Sequence, residues 1–565
     1  MIIGLDVGGT HTDVVLLDKN GLLKEIKVTT DPLDLFNSVL TGLIKITEGV
    51  EPEKIHRIVL STTLTTNAIV QKKFPKVGMI VSSGPGLDPE LHRTNRHYFA
   101  VSGSIDHRGR EIEPVDPAEI KKIGKRLKKE NIQCVGVVSK FSVRNPEHEF
   151  KIHEILDDSF DKVFLGHRIS GNLNFPRRIA TTYLNAAVYP IHKAFYEAVQ
   201  KSLEAKGLSL PIRILKADGG NMNFKSSIDI PGQTILSGPA ASVMGSVTFS
   251  SKDEDTLIMD IGGTTTDMSI LINRVPLLAP MGIQLGNYKT LIRSLDTLSI
   301  GVGGDSIVQI QNGQIKVGPE RLGPAMAYGG PVPTPTDALF VLEEMKNGDR
   351  EKSVNGIKPM AKELGLSVEA AAYAIFEFTC RKILSEAERM IERINEKPVY
   401  TVHELQEGYK VLPKKILVLG GPAPCFAEHF EKISEYKAKV VPKWAVANAI
   451  GAALARTTCE VNFYADTERG IANAPAENYF TNITRNFDSN DAVKNAFDLL
   501  REKALQRGAD PDHIEMEVLE TMQFNMVRGF SATGKNIRVK VQVKPGLVYG
   551  YDDIIGNLTR KSRVR

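Results

Sequence analysis

The sequence predicts a multidomain α/β protein built from two related halves and a small C-terminal domain. Three observations carry that expectation. Strand-like and helix-like segments alternate along most of the chain, which places helices over sheets. One eight-residue pattern occurs twice, some 250 residues apart. After about residue 460 the composition changes, with Asn, Asp and Thr clustered over 462–491. A chain of 565 residues is also longer than one hydrophobic core supports.

Short runs rich in β-branched residues and bounded by turn residues read as strands at Ile2–Asp6, Val14–Asp18, Ile58–Ser61, Val77–Val81 and Val135–Ser139. Between them lie helix-length segments at Leu33–Thr47, Thr63–Lys72, Pro117–Glu130 and Pro146–Asp157. Pro117 and Pro146 suit a first helical turn, where the missing N–H costs nothing. A long helix over Phe175–Lys206 leads to a strand at Ile212–Lys216. The pattern restarts with strands at Leu257–Asp260, Met268–Ile272 and Ile416–Leu419, and a long amphipathic helix covers 365–395. In the last hundred residues a helix at Ala492–Arg507 precedes a strand pair near 514–525 and 537–543.

Composition excludes several function classes. Lys and Arg total 71 against 67 for Asp and Glu, a net +4, so charge makes no case for a nucleic-acid or membrane partner. Cys134, Cys380, Cys425 and Cys459 are isolated, without the paired spacing of a zinc site or a disulfide framework, which fits a reducing compartment. The start, MIIGLDVGG, has no basic leader and enters a strand at once, so it does not read as a signal peptide. No apolar run reaches the ~18 residues of a membrane span. A cytoplasmic protein is expected.

The repeat carries the chemistry. Residues 6–13 read Asp-Val-Gly-Gly-Thr-His-Thr-Asp and residues 260–267 read Asp-Ile-Gly-Gly-Thr-Thr-Thr-Asp. Each copy joins two apolar strands through a tight turn. Glycine lets the backbone approach a ligand, and successive N–H groups at such a turn form an anion-binding concavity. Gly8, Gly9, Thr10 and Thr12 in the first copy, and Gly262, Gly263, Thr264, Thr265 and Thr266 in the second, are the candidate phosphate contacts. Asp6 and Asp260, at strand ends, are candidate Mg²⁺ ligands facing those phosphates. A Gly-Gly-Thr sequence alone makes a serviceable hairpin turn. The duplication, with Asp at both ends of each copy, points instead to a clamp on one nucleotide triphosphate. Gly420 and Gly421, after the buried run Ile416–Leu419, leave room for a purine to lie against backbone. A helix of small residues, Val446–Leu454, follows. Asp267 and then Asp13, just beyond the turns, are the candidate catalytic bases; the alternative is that each caps its turn.

These elements, in this order, resemble the actin, heat-shock ATPase and sugar-kinase superfamily. Within it the chain resembles the hydantoinase/oxoprolinase family, in particular the N-methylhydantoinase A type of subunit, from residue 1 to about 455. Asp6–Asp13 and Asp260–Asp267 resemble its two loops, Thr62–Ala68 its TTxxTNA segment and Ser237–Ala241 its SGPA turn. Gly301–Ile307 resembles its glycine loop, which adds Gly303 and Gly304 to the nucleotide contacts, and Pro335–Ala338 its TDA element. The chain departs from the family at His11 (commonly Phe), Leu298 (commonly His) and Asp305 (commonly Gly), and 323–329 lacks the family's Cys. The region beyond about 460 does not resemble the family's usual ending.

The resemblance implies two RNase H-like lobes around a nucleotide cleft, here assigned to residues 1–180 and 181–460, with a C-terminal α/β domain over 461–565. It implies ATP with Mg²⁺, and ATP-dependent opening of a cyclic amide (hydantoin, oxoproline or lactam) by phosphorylation of the amide oxygen. The rival readings are a small-molecule kinase, a ketone-activating carboxylase subunit and a non-metabolic ATPase switch. It also implies a second, B-type subunit, with a homo-oligomer as the alternative. Thr62, Thr63 and Asn67, hydroxyls and an amide before a helix, and Arg93, a carboxylate-binding side chain in a cationic loop, are the candidate substrate contacts.

Other patterns read as structural. Gly529–Asn536 approaches a phosphate-binding loop but ends in Asn and runs into an alternating strand, so a hairpin is expected. His148, Glu149 and His153 have a spacing of five, not the four of a zinc helix, and are expected on a solvated helix face. The basic end, Arg560–Arg565, has no interleaved aromatics and reads as a tail.

Overall fold

The computed structural model describes residues 1–8, 11–31, 34–156, 159–205, 207–208, 210–250, 254–279, 281–396, 410–551 and 554. Gly9 and Thr10 of the first loop, the predicted helix ends Leu33, Asp157 and Lys206, and the basic end 560–565 lie outside the described residues.

Two sheets share one plan. In the first, the antiparallel hairpin Ile2–Val7/His11–Asp18 is extended by Gly21–Thr29 on one side. On the other side Arg57–Thr62 and then Ile212–Leu215 add in parallel, and Asn221–Asn223 closes the edge. In the second, the hairpin Thr256–Ile261/Thr266–Ile272 is flanked by Val275–Pro276 and Thr297–Ile300, and by the parallel strands Lys415–Leu419 and Lys437–Val440. Ile2–Val7 is buried along its whole length, as expected of a strand covered on both faces.

What lies between the sheets is a pair of short helices, Ser237–Val247 and Ala447–Leu454. Ile2, Val15, Leu17 and Val59 of the first sheet and Ile258, Leu271, Leu417 and Leu419 of the second share one core with them. The helices touch backbone to backbone. A β-carbon on Gly451 would lie 2.2 Å from Ala241 O and 2.3 Å from Gly245 N, and one on Gly4 would lie 2.1 Å from Ala449 O. The small-residue run seen in the sequence is therefore a packing requirement.

Three features differ from the sequence expectation. Val77–Ser82, Tyr98–Ala100, Cys134–Ser139 and Lys162–Leu165 form a separate all-parallel sheet instead of joining the first one. The helix Phe175–Glu204 bridges the two, with Ile179–Tyr189 packed on the small sheet and Phe195, Val199 and Leu203 on the first. It runs through position 180, and the first sheet draws on strands as late as Asn221–Asn223. In the C-terminal part the polar stretch after 460 contains the strands Glu460–Asp466, Ile471–Ala474 and Tyr479–Asn482. These join Ser531–Val543 and Met516–Arg528 in a five-stranded antiparallel sheet backed by the helix Ser489–Gln506. The alternating Val461, Phe463 and Ala465 are buried under that helix, so period-two burial outweighs the polar composition.

His148 and Glu149 correct the expectation of a solvated face: both are fully buried, while His153 is exposed. Glu149 accepts hydrogen bonds from His167 Nδ1 (2.6 Å), His167 N (3.0 Å) and Ser139 N (2.9 Å), and this ring of donors holds its carboxyl below the usual range despite burial. The hairpin expectation at Gly529–Asn536 matches the structure, where Arg528 pairs with Ser531 across a two-residue turn. All four cysteines are free, three of them buried. No helix among the described residues is long and apolar enough to cross a membrane.

The helix crossing generates a test. Gly451→Ala should destabilise the protein by about 1–3 kcal/mol or more, the usual cost of overpacking. Gly421→Ala, where a β-carbon meets nothing within 4 Å, should stay within ~0.5 kcal/mol. Thermal denaturation of the two variants side by side checks the contrast.

Candidate functional site

The two copies of the repeat fold identically. Asp6 pairs with Asp13 and Val7 with Thr12 across the first hairpin; Asp260 pairs with Asp267 and Ile261 with Thr266 across the second. Gly8 N donates to His11 O (3.0 Å), and Gly262 N donates to Thr265 O (2.9 Å), closing equivalent turns.

The crossed helices bring the two strand ends together. Asn448, at the start of Ala447–Leu454, sets its side chain beside both Asp6 and Asp260, where it favours their ionised forms. Ser242, on the other helix, donates to Asp260 Oδ2 (2.5 Å), and Ser61, whose hydroxyl donates to Ser237 O (3.4 Å), lies beside Asp6. Asp6 and Asp260 repel each other across this contact. Burial raises both carboxyls, Asp6 to about 6, with Asp13 and Asp260 adding to the effect. One oxygen, Asp6 Oδ1, is buried without a hydrogen-bond partner. Two facing carboxylates with raised proton affinity and an orphaned oxygen suit a divalent cation that completes its shell with water and phosphate oxygens, as Mg²⁺ does. No cluster of three or more His, Cys, Asp or Glu is present among the described residues.

The second turn is braced by the glycine loop. Gly304 N donates to Gly262 O (2.9 Å) and Asp305 N to Gly263 O (2.7 Å), which places Gly303 and Gly304 against the hairpin. Arg321 spans both, reaching Thr264 Oγ1 (3.2 Å) and Asp305 Oδ2 (2.8 Å). The TDA element is the buttress below. Thr336 N donates to Gly304 O (2.8 Å), and buried Asp337 accepts from Met326 N, Ala327 N, Thr334 N and the Ser353 hydroxyl. Gly420 follows Leu419, which pairs with Asp260, and holds φ +97°; a β-carbon there would strike Ile261 O at 2.1 Å. Gly421 has open space.

The threonines divide by role. Thr12 and Thr266 are fully buried: Thr12 Oγ1 pairs with Thr30 Oγ1 (2.8 Å), and Thr266 Oγ1 donates to Val302 O (2.7 Å). Their hydroxyls hold the hairpins in place. Thr264 and Thr265 stand at the accessible tip. Thr62 is buried, with its hydroxyl accepting from Leu64 N (3.2 Å) and its carbonyl accepting from Ser237 Oγ (2.8 Å). That contact joins the TTxxTNA segment to the SGPA turn. Thr63 and exposed Asn67 lie beyond it, linked at 3.3 Å. Arg93 is engaged by Glu90 (2.8 Å) and by the Tyr98 carbonyl (3.2 Å), with no described contact to either hairpin.

The two candidate bases are unequal. Burial raises Asp13 above its ordinary value, and an ion pair with Lys27 (3.0 Å) opposes that rise. Asp267 has no such cation among the described residues: burial and the charge of Asp260 push it up to about 7, with the neighbouring Ser299 side chain opposing the rise. Asn448, Ser242 and Arg321 are the site residues that sequence reasoning missed. The signal for Asn448 was a single polar residue in an otherwise small, apolar helix.

Residues 2–160 match the hydantoinase/oxoprolinase N-terminal region and residues 178–461 match the hydantoinase/oxoprolinase family. An uncharacterized protein of Methanocaldococcus jannaschii is 27% identical over 80% of this chain and 72% of its own. Caprolactamase subunit alpha of Pseudomonas jessenii is 26% identical over 69% of this chain and 63% of its own. The fold is similar to that of nucleotide-free acetone carboxylase, with a TM-score of 0.70 at 19% identity over 97% of this chain and 88% of the other. It is also similar to the ATP-dependent caprolactamase of P. jessenii, with a TM-score of 0.67 at 20% identity over 96% and 88%. With half of its length matched to the family and the repeated hairpins in register, the chain belongs to the hydantoinase/oxoprolinase family.

Proposed function

We propose that the chain is an ATP-dependent amidohydrolase that opens a cyclic amide, with two RNase H-like lobes clamping ATP·Mg²⁺ between the hairpins at residues 6–13 and 260–267. The observation that carries the reading is the matched pair of hairpins whose leading carboxylates, Asp6 and Asp260, face each other beside Asn448. Membership of the family and likeness to an ATP-dependent caprolactamase support the choice of substrate class. The name of the relative as an alpha subunit supports a second subunit.

In this reading Asp6 and Asp260 would hold Mg²⁺, and the phosphates would meet the Gly263 N–H and the side chains of Thr264 and Thr265, while Gly8, Gly262, Gly303 and Gly304, whose N–H groups bond His11 O, Thr265 O, Ser306 Oγ and Gly262 O, let the backbone approach because they carry no side chain. Bound ATP·Mg²⁺ supplies the phosphoryl group that activates the amide oxygen. Asp267, ionised, orients the acceptor and then takes a proton from the attacking water. General-base assistance of this kind is worth ~10²–10⁴ in rate. Thr63 and Asn67 hold the polar edge of the ring. Gly421 leaves space for the adenine.

Four outcomes test the reading. Asp260→Ala should abolish nucleotide-dependent turnover while the circular dichroism spectrum is retained; wild-type turnover in both this variant and Asp6→Ala would exclude the clamp. Asp267→Asn should lower kcat about 10²–10⁴-fold with a much smaller change in ATP affinity. In the parent enzyme kcat should fall as pH drops through about 7, because the base must be ionised. In ¹⁸O-water a lactam substrate should return label in the ring-opened carboxylate, with the phosphate carrying the amide oxygen. Label in phosphate alone marks plain ATP hydrolysis, a stable phosphorylated product marks a kinase, and a carboxylated ketone marks a carboxylase subunit.

Stability should report the same carboxylates. Asp6 and Asp267 titrate in the folded protein near 6 and 7, above the ordinary 3.8. The folded state therefore binds more protons than the unfolded state between about pH 4 and 7, and stability falls across that window as pH rises. Asp267→Asn should raise the nucleotide-free Tm at pH 8 and leave it nearly unchanged at pH 4.

A further inference from the structure

Among the described residues, the strand Met516–Arg528 is the outer edge of the C-terminal sheet, thirteen residues long and paired only with Ser531–Val543. Long exposed edges are usually blunted, because their unpaired N–H and C=O groups accept another strand. From Glu520 to Met526 the alternate residues on one face are Glu520, Met522, Phe524 and Met526, and Arg528 continues the row two residues on, beyond a register shift in the ladder between Met526 and Val527. Their cross-strand neighbours are Lys540, Arg538, Asn536, Gly534 and Ser531. The apolar row thus meets only polar residues and a glycine on its own sheet. Phe524 is 54% exposed, Met522 36%, and Phe530 in the turn is fully exposed.

The row has an order that selects its partner. It reads acid, apolar, aromatic, apolar, base, so reversing its direction leaves the apolar centre unchanged and exchanges the charges. An antiparallel copy placed about a two-fold axis at Phe524 sets Phe524 opposite Phe524, Met522 opposite Met526 and Glu520 opposite Arg528. A two-fold interface must be complementary to itself in this way. Arg528 already meets Glu468 Oε1 in its own chain (2.7 Å), and its side chain is 63% exposed, within reach of a second carboxylate.

We propose that a second copy of this chain docks along the edge Met516–Arg528, antiparallel and about a two-fold axis at Phe524, joining two C-terminal sheets into one continuous sheet. Directly opposed residues in such a pair bring their β-carbons to ~4.5–5.5 Å, while residues four positions out of register are far beyond a short cross-linker.

The test uses the full-length chain on a Cys425→Ser background, since the other three cysteines are buried. Phe524→Cys alone should cross-link to a dimer with a short bismaleimide. Met522→Cys and Met526→Cys should not cross-link alone and should do so when mixed. By sedimentation the parent protein should be a dimer and Phe524→Glu a monomer with an unchanged circular dichroism spectrum. Glu520→Arg and Arg528→Glu should each weaken the dimer, and the double exchange should restore it. A parent monomer at tens of micromolar, a dimer indifferent to Phe524→Glu, a cross-link pattern that fails this register, or a heterologous subunit occupying the edge in the isolated complex would each overturn the proposal.

Discussion

The structure depends on one close contact, the crossing of Ser237–Val247 and Ala447–Leu454 at Gly245 and Gly451. Neither position has room for a β-carbon. Because the helices meet at backbone distance, both sheets can pack on the same pair, and the ends of Ile2–Val7 and Thr256–Ile261 arrive at one place. Ser242 and Asn448, which hold Asp260 and Asp6, project from these same helices. A wider crossing would separate the hairpins and leave two half-sites.

That convergence carries an electrostatic cost. Burial holds Asp6, Asp260 and Asp267 above their ordinary proton affinity, and the charge of Asp260 adds to the effect at Asp6 and Asp267. Burying carboxylates together without a cation opposes folding, and a structure retains such an arrangement where a ligand relieves it. Asp13 is raised by burial as well, but Lys27 supplies its counter-charge within the fold. The difference between two positions that are equivalent in the repeat is what separates a candidate base from a structural ion pair.

Much of this was legible in the sequence. The strands Ile2–Val7 and Thr256–Ile261 and the helices Pro117–Lys129 and Phe175–Glu204 follow from period and capping, with Asp116 and Asn174 closing the first turns of the latter two. The duplicated motif was visible as text, and its register proved equivalent in both copies. The separate parallel sheet was not legible, because a buried strand looks the same whichever sheet it joins. Nor was the burial of Glu149, since its partners His167 and Arg178 are distant in sequence and a Glu beside a His on a helix ordinarily reads as solvated.

By itself the sequence determined the kinds of element, the two hairpins and the residues that end them, because these depend on local spacing and on where glycine is tolerated. Only the tertiary structure decided which threonines face a ligand and which brace the turn. It also decided that Asn448 lies beside two carboxylates and that Asp267, among the described residues, lacks the cation Asp13 has. The reason is physical: a side chain's proton affinity and free hydrogen-bonding capacity depend on the groups packed around it. Here those groups come from segments as much as 440 residues apart, Asp6 against Asn448 being the widest.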